Sequence, residues 1–177
     1  FENNTPYSIN QNINYYYTLN DTNIFAFEAQ HLLQDEDPFY NAVIEDKTSY
    51  ATTADALGLN GTQIGYDIAQ NRRIKSNQLD AKLDYYNILN AKSNINLTLG
   101  TILSRQDFNS NIFQFLDDGS IFNPTPTFNN GRASNDIQYN FSDVYLGLHY
   151  TLKAGKFTLR PGFSAHSYGN KNSQFGE

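Results

Sequence analysis

The sequence predicts an all-β chain: an antiparallel meander of about six long strands in three hairpins, with short turns and two long loops. Three observations carry this reading. Runs of alternating apolar and polar residues come in pairs. A very short turn closes each pair, at Asn20-Asp21-Thr22, Asn90-Ala91-Lys92-Ser93 and Lys153-Ala154-Gly155. Long polar intervals, 34–73 and 106–142, separate the pairs. Side chains alternate across a strand, so a period of two splits each run into two faces.

The first run places Ile9, Gln11, Ile13, Tyr15, Tyr17 and Leu19 on one face, against Asn10, Asn12, Asn14, Tyr16 and Thr18. In the second, Phe25, Phe27 and Ala29 oppose Ala26, Glu28 and Gln30. The third sets Leu79, Ala81, Leu83 and Tyr85 against Gln78, Asp80, Lys82 and Asp84. The fourth has Ile95, Leu97, Leu99 and Leu103 opposite Asn94, Asn96, Thr98, Gly100 and Ser104. Val144, Leu146, Leu148, Tyr150 and Leu152 oppose Asp143, Tyr145, Gly147, His149 and Thr151 in the fifth. The sixth carries Phe157, Leu159, Pro161 and Phe163 against Thr158, Arg160, Gly162, Ser164 and His166.

Every run thus has one apolar and one polar face. The runs are about ten residues or longer, which matches the ~9–11 residues of a tilted strand crossing a bilayer better than the ~5–6 of a typical soluble strand. Short turns at one end and long loops at the other are the wiring of an outer-membrane barrel. The expected architecture is therefore an arc of a transmembrane β-barrel, since six strands fall short of the ~8 that close one. Tyr15, Tyr17, Tyr85, Tyr150 and Phe157 lie near the short turns and read as an aromatic girdle at the periplasmic rim. Pro161 lacks a ladder donor, and a bulge near Arg160-Pro161-Gly162 is expected if that run pairs on both sides. Ile137, Tyr139 and Phe141 are out of phase with Val144 and its successors. A bulge near Ser142-Asp143, or a separate loop hairpin ending there, would reconcile them.

Composition excludes several classes. No Cys is present, so neither disulfides nor thiolate metal sites are available. The formal net charge of −6 argues against nucleic acid as a partner, because phosphate binding needs a basic stripe. No apolar run approaches the length of a membrane helix. With Phe1 at its start and no Met anywhere, residues 1–177 are expected to form one segment of a longer chain.

The long intervals hold the candidate chemistry. Asp35-Glu36-Asp37 offers hard oxygen ligands for Ca²⁺, although neighbouring acids point in different directions and no EF-hand spacing is present. Asp46-Lys47-Thr48-Ser49 and Asn60-Gly61 read as turns, and 53–59 as a short helical turn. Asn123-Pro124-Thr125-Pro126 and Asn129-Asn130-Gly131 read as turns too, and 112–116 with 120–122 as a small hairpin around Asp117-Asp118-Gly119. Phe39, Tyr40, Tyr50, Phe113 and Phe115 are aromatics placed to stack on a ligand. Glu28, Asp80, Lys82, Asp84, His149, Arg160 and His166 fall on the polar faces, which in a barrel line the lumen. No nucleophile elbow, phosphate loop or dinucleotide fingerprint appears, so no enzymatic activity and no cofactor are expected.

Three stretches resemble a known group: Asn12-Ile13-Asn14-Tyr15-Tyr16-Tyr17, Leu79-Asp80-Ala81-Lys82-Leu83-Asp84-Tyr85 and Lys156-Phe157-Thr158-Leu159-Arg160-Pro161-Gly162-Phe163. They are similar to strands of the outer-membrane β-barrel proteins of Bacteroidetes that are TonB-dependent-receptor-like. The resemblance implies a wall segment of a receptor or transporter in the outer membrane of a Gram-negative bacterium, with long loops extracellular. Its implied partners are outer-membrane lipid, a plug domain of the same parent chain and a small ligand such as a sugar, a peptide or a metal chelate. The alternative is a soluble extracellular β-sandwich binding carbohydrate; a glycoside hydrolase built on paired carboxylates comes third. Leu97, Leu99, Leu146 and Leu148 discriminate: they face outward in a barrel and pack into a closed core in a sandwich.

Overall fold

The computed structural model describes residues 1–124 and 134–174. These residues form ten strands: β1 (Glu2–Asn3), β2 (Tyr7–Asn20), β3 (Asn23–Glu36), β4 (Phe39–Ile44), β5 (Tyr66–Asn90), β6 (Ser93–Phe115), β7 (Ile121–Phe122), β8 (Ser134–Ala154), β9 (Phe157–Leu159) and β10 (Gly162–Gln174). One helix, α1 (Lys47–Leu57), lies between β4 and β5. All ten strands belong to one antiparallel sheet, which does not close.

Register reduces nine of the ten strands to a six-line meander, β7 being the short return strand of a hairpin on β6. Glu36 of β3 stands opposite Ile74, and Phe39 of β4 opposite Asn71, so β3 and β4 meet β5 in one unbroken register. The same holds for β1 with β2 against β4 with β3, and for β9 with β10 against β8. Proline explains all three interruptions. Pro6, Pro38 and Pro161 have no N–H to give, yet the Pro38 carbonyl accepts from the Arg72 amide at 3.0 Å and the Pro161 carbonyl from the Tyr150 amide at 2.9 Å. A lost donor breaks the ladder without inserting a residue. There is accordingly no bulge at Arg160-Pro161-Gly162, and among the described residues β10 pairs only with β8.

Nor does a bulge occur at Ser142-Asp143. Ser142 faces Leu103 and Asp143 faces Ile102 in an uninterrupted ladder. Ile137, Tyr139 and Phe141 therefore share the face of Asp143 and Tyr145. Phe141 packs there against Tyr168, with ring centroids 6.3 Å apart. A face that is polar on average accommodates aromatics where they pack on one another.

The three short turns all lie at one end of the sheet. Asn20 and Asn90 each accept, through the side-chain oxygen, the amide of the residue two places on, at 3.1 and 2.9 Å. Gly155 adopts φ 63 in the third turn, where a side chain would be strained. At the other end, strands reach far into the intervals 34–73 and 106–142. β4 and much of β5 occupy the first, and the ends of β6 and β8 the second. These stretches carry polar residues on both faces, so alternation vanishes while the backbone ladder continues. The small hairpin around Asp117-Asp118-Gly119 is present, with Gln114 opposite Phe122 and Gly119 at φ 82. The turns expected at Asn123-Pro124-Thr125-Pro126 and Asn129-Asn130-Gly131 lie wholly or partly outside the described residues.

The helix is longer than a turn at 53–59 and starts earlier. Asp46 is its N-cap, accepting from the amides of Thr48 at 3.1 Å and Ser49 at 3.4 Å. Gly58 ends it at φ 69, where its amide and that of Leu59 satisfy the last carbonyls. Ala54, Leu57 and Leu59 pack against Ile44, Tyr66 and Ile68. By register these three strand residues share the polar face, so the helix folds back over that face at the end remote from the short turns.

Hydrogen bonds from Ser49 hold the Asp46 carboxyl below its ordinary value. The stabilisation they give α1 is thus present above the unfolded carboxylate value of about 3.9 and is lost as pH falls through the lower folded value. Amide exchange across α1 is expected to accelerate on acidification through that range. In Asp46→Asn the acceleration should be absent, since the amide caps without titrating.

Candidate functional site

Cross-strand register assigns every side chain to a face. Glu28, Asp80, Lys82, Asp84, His149, Arg160 and His166 all fall on the polar face. Its centre is a charge cluster. Lys82 Nζ stands 3.2 Å from Glu28 Oε2 and 3.6 Å from Asp84 Oδ2. Asp84 is buried and also accepts from Asn96 Nδ2 at 3.3 Å and from the Thr98 hydroxyl. Such partners offset the hydration a carboxylate loses on burial.

Two strands away, His166 Nδ1 lies 2.9 Å from Oδ2 of Asp143, a second buried carboxylate. The imidazole is sandwiched between Tyr145 and Tyr168, at 5.2 and 5.5 Å between centroids. This ladder of Tyr145, His166, Tyr168 and Phe141 was not singled out from sequence. Its members sit on two strands whose relative register is visible only after pairing.

Two glycines exist because rings cover them. A Cβ on Gly100 would collide with the Tyr145 ring, and one on Gly162 with the His149 ring. An aromatic side chain lying across a bare glycine is a recognised sheet device. His149 Nδ1 is buried and has no hydrogen-bond partner among the described residues. Gly100→Val is expected to displace the Tyr145 ring and cost about 1–3 kcal/mol, the usual effect of overpacking. Chemical unfolding of that variant and of the pair Gly100→Val/Tyr145→Ala would test this. Strong non-additivity, with the pair less damaged than the sum, is the expected result.

The remaining candidates are dispersed. Phe39, Phe113 and Phe115 lie on the apolar face; Phe113 and Phe115 meet edge to face at 5.3 Å, and Phe39 packs on Phe1 at 6.4 Å. Tyr40 is on the polar face under the Arg72 guanidinium, and Tyr50 is exposed on α1. The acids of 35–37 separate as well. Asp35 binds Arg73 at 2.9 Å, a hydrogen bond that holds its carboxyl below the ordinary value. Glu36 points to the opposite face, and Asp37 accepts from the Thr5 hydroxyl at 2.8 Å. Among the described residues, no three His, Cys, Asp or Glu side chains are grouped to hold a metal ion.

In the middle of the sheet burial is inverted between the faces. Asp84, Asn96 and Asp143 are buried on the polar face, whereas Leu97, Leu99, Leu103, Val144 and Leu146 are 38–52% exposed on the other. Following the register across the sheet, the apolar residues form a continuous belt. One row reads Tyr17, Phe25, Tyr85, Leu97, Leu148, Phe163 and the next Tyr15, Phe27, Leu83, Leu99, Leu146, Ala165. Leu89 and Leu152 bound the belt near the short turns, Leu79 and Leu103 at the far side. Beyond it the same face carries Asp35, Arg73, Lys75, Arg105 and Asp107, joined in ion pairs.

No protein-family model matches this sequence, and no characterised protein matches it.

Proposed function

We propose that this chain is a wall segment of a bacterial outer-membrane receptor or transporter barrel, TonB-dependent-receptor-like, that takes up a nutrient ligand. The observation that carries the reading is the apolar belt with its abrupt charged border. Along β5 the belt covers about ten residue steps, roughly 33 Å at ~3.3 Å per residue. Tilted by ~35–45°, as barrel strands are, it stands about 25 Å tall, the height of the apolar band of such barrels. Water gives a soluble protein no reason to keep a belt of that size uncovered.

The polar face then lines the lumen, where Glu28, Asp80, Lys82 and Asp84 meet a plug or a passing solute. The helix α1, folded over that face at the end with the long connections, sits at the external mouth. The short turns are periplasmic. Strands longer than a bilayer requires carry the wall outward beyond the membrane, consistent with polar residues on both faces there. The sandwich reading requires a second layer over Leu97, Leu99, Leu146 and Leu148, and none is present among the described residues.

Topology is the test. Residues 1–177 hold no cysteine, so in a parent protein cleared of any cysteines elsewhere one introduced thiol gives one label. Ile64 is 86% exposed beyond α1, and Lys92 sits in a short turn. In the parent protein, Ile64→Cys should react with a membrane-impermeant maleimide on intact cells. Lys92→Cys should react only after the envelope is opened. Equal labelling of both, or release of the protein without detergent, would refute the membrane reading.

A further inference from the structure

At the far border of the belt the outward face holds a trough that fits one kind of partner. Leu79 and Leu103 stand side by side in the last apolar row, and Ser142 and Gly169 continue that row on β8 and β10. These two small residues leave the surface low. In the next row, away from the short turns, Arg105 and Lys171 flank Asn140. The resulting trough, about 670 Å³, has an apolar lower wall and a cationic upper wall, and no carboxylate lines it.

Both cations have capacity to spare. Lys171 makes no ion pair among the described residues. Arg105 gives Nε and Nη2 to Asp107, at 3.0 and 3.3 Å, on the side away from the belt. Its side chain is 57% exposed, and Nη1 carries no partner among the described residues. The two residues are two strands apart, roughly 10 Å at ~4.8 Å per strand, a span over which the free Arg105 Nη1 and the Lys171 ammonium can both reach one group above Asn140.

The geometry points to a binding site for the head-to-tail junction of an anionic membrane amphiphile. Its phosphate sits between Arg105 and Lys171 in charge-assisted hydrogen bonds. Its acyl chain descends over Leu103 and Leu79, continuous with the belt. A free phosphate ion would gain nothing from that lower wall, which is why the partner is a lipid. This site rests on the membrane reading above and names the lipid contact that reading leaves open.

The test uses the full-length parent protein inserted into phosphatidylcholine nanodiscs doped with phosphatidylglycerol. After removal of bulk lipid, retained lipid is quantified by mass spectrometry. Wild type should hold phosphatidylglycerol at several-fold its bulk ratio, undisturbed by added inorganic phosphate. Arg105→Gln/Lys171→Gln should return to the bulk ratio. So should Gly169→Leu, which fills the trough at the expense of only the Ser142 hydroxyl and leaves both charges in place. Insertion into the bilayer with wild type at the bulk ratio, or displacement of the lipid by inorganic phosphate, would overturn the site while sparing the membrane reading. A protein that enters no bilayer overturns both.

Discussion

Leu99→Arg should cost about 2–4 kcal/mol when the protein unfolds from a bilayer, and almost nothing when it unfolds from aqueous solution. Leu99 lies in mid-belt, in the row of Tyr15, Phe27, Leu83 and Leu146, and is 52% exposed. In water an exposed strand position tolerates arginine to within about 0.5 kcal/mol. In hydrocarbon a cation at mid-depth carries the larger penalty, and the penalty falls to ~0–1 kcal/mol towards the interface. Leu103→Arg, at the border row beside Arg105, is the internal control and should be mild. Denaturant titration of both variants in phosphatidylcholine bilayers gives the comparison. A uniform small effect would mean that the belt does not contact lipid, and would leave the sandwich as the better account of the sequence.

The prediction is sharp because the belt is a property of register as much as of composition. Alternation within each run gave the faces of β2, β3, β5, β6 and β8 through the belt, so the polar set from Glu28 to His166 was readable from parity alone. Above the belt that signal stops. Asn71-Arg72-Arg73-Ile74-Lys75-Ser76-Asn77 has no apolar period, yet it lies inside β5, held by hydrogen bonds that any side chain permits. A reader of hydropathy sees a loop there. The acidic run before Pro38 misleads in the same way, since Asp35 is a ladder residue paired with Arg73 from a distant part of the chain.

The same physics explains why the Asp143–His166 pair and the Tyr145 ring over Gly100 stayed hidden. Each depends on which residue of one strand faces which residue of another. A proline that breaks a ladder while preserving register is equally hard to read, because the sequence announces the missing donor but not whether a residue has been inserted to compensate. The sequence understates helix α1, because Asp46-Lys47-Thr48-Ser49 has turn composition. Its role as a cap became evident only with the amides of Thr48 and Ser49 aimed at the Asp46 carboxyl.

Gln114 ties that helical layer to the wall, and Gln114→Leu should release it. Gln114 is fully buried, on the polar face near the end of β6. Its Oε1 accepts from the Asn60 amide at 2.8 Å, and its Nε2 donates to the Asn60 carbonyl at 3.2 Å. Leucine nearly conserves the volume but leaves both backbone groups of Asn60 without a partner, at a cost of about 1–3 kcal/mol. The apolar cluster beneath α1 is small, centred on Ala54, Leu59 and Tyr66. The bonds between Gln63 and Asp117 and from Ile64 to Asp117 are exposed and give little resistance. Opening should therefore be local. Hydrogen exchange is expected to lose protection across 47–65 while β5 and β6 keep theirs. Gln114→Glu, which keeps an acceptor for the Asn60 amide but sets a buried carboxylate against the Asn60 carbonyl, should be no milder than leucine at neutral pH. If α1 stays protected in Gln114→Leu, the cluster alone anchors the layer. If β6 exchanges with it, the external layer and the wall form one cooperative unit, and α1 cannot move at the mouth without disturbing the strands that frame it.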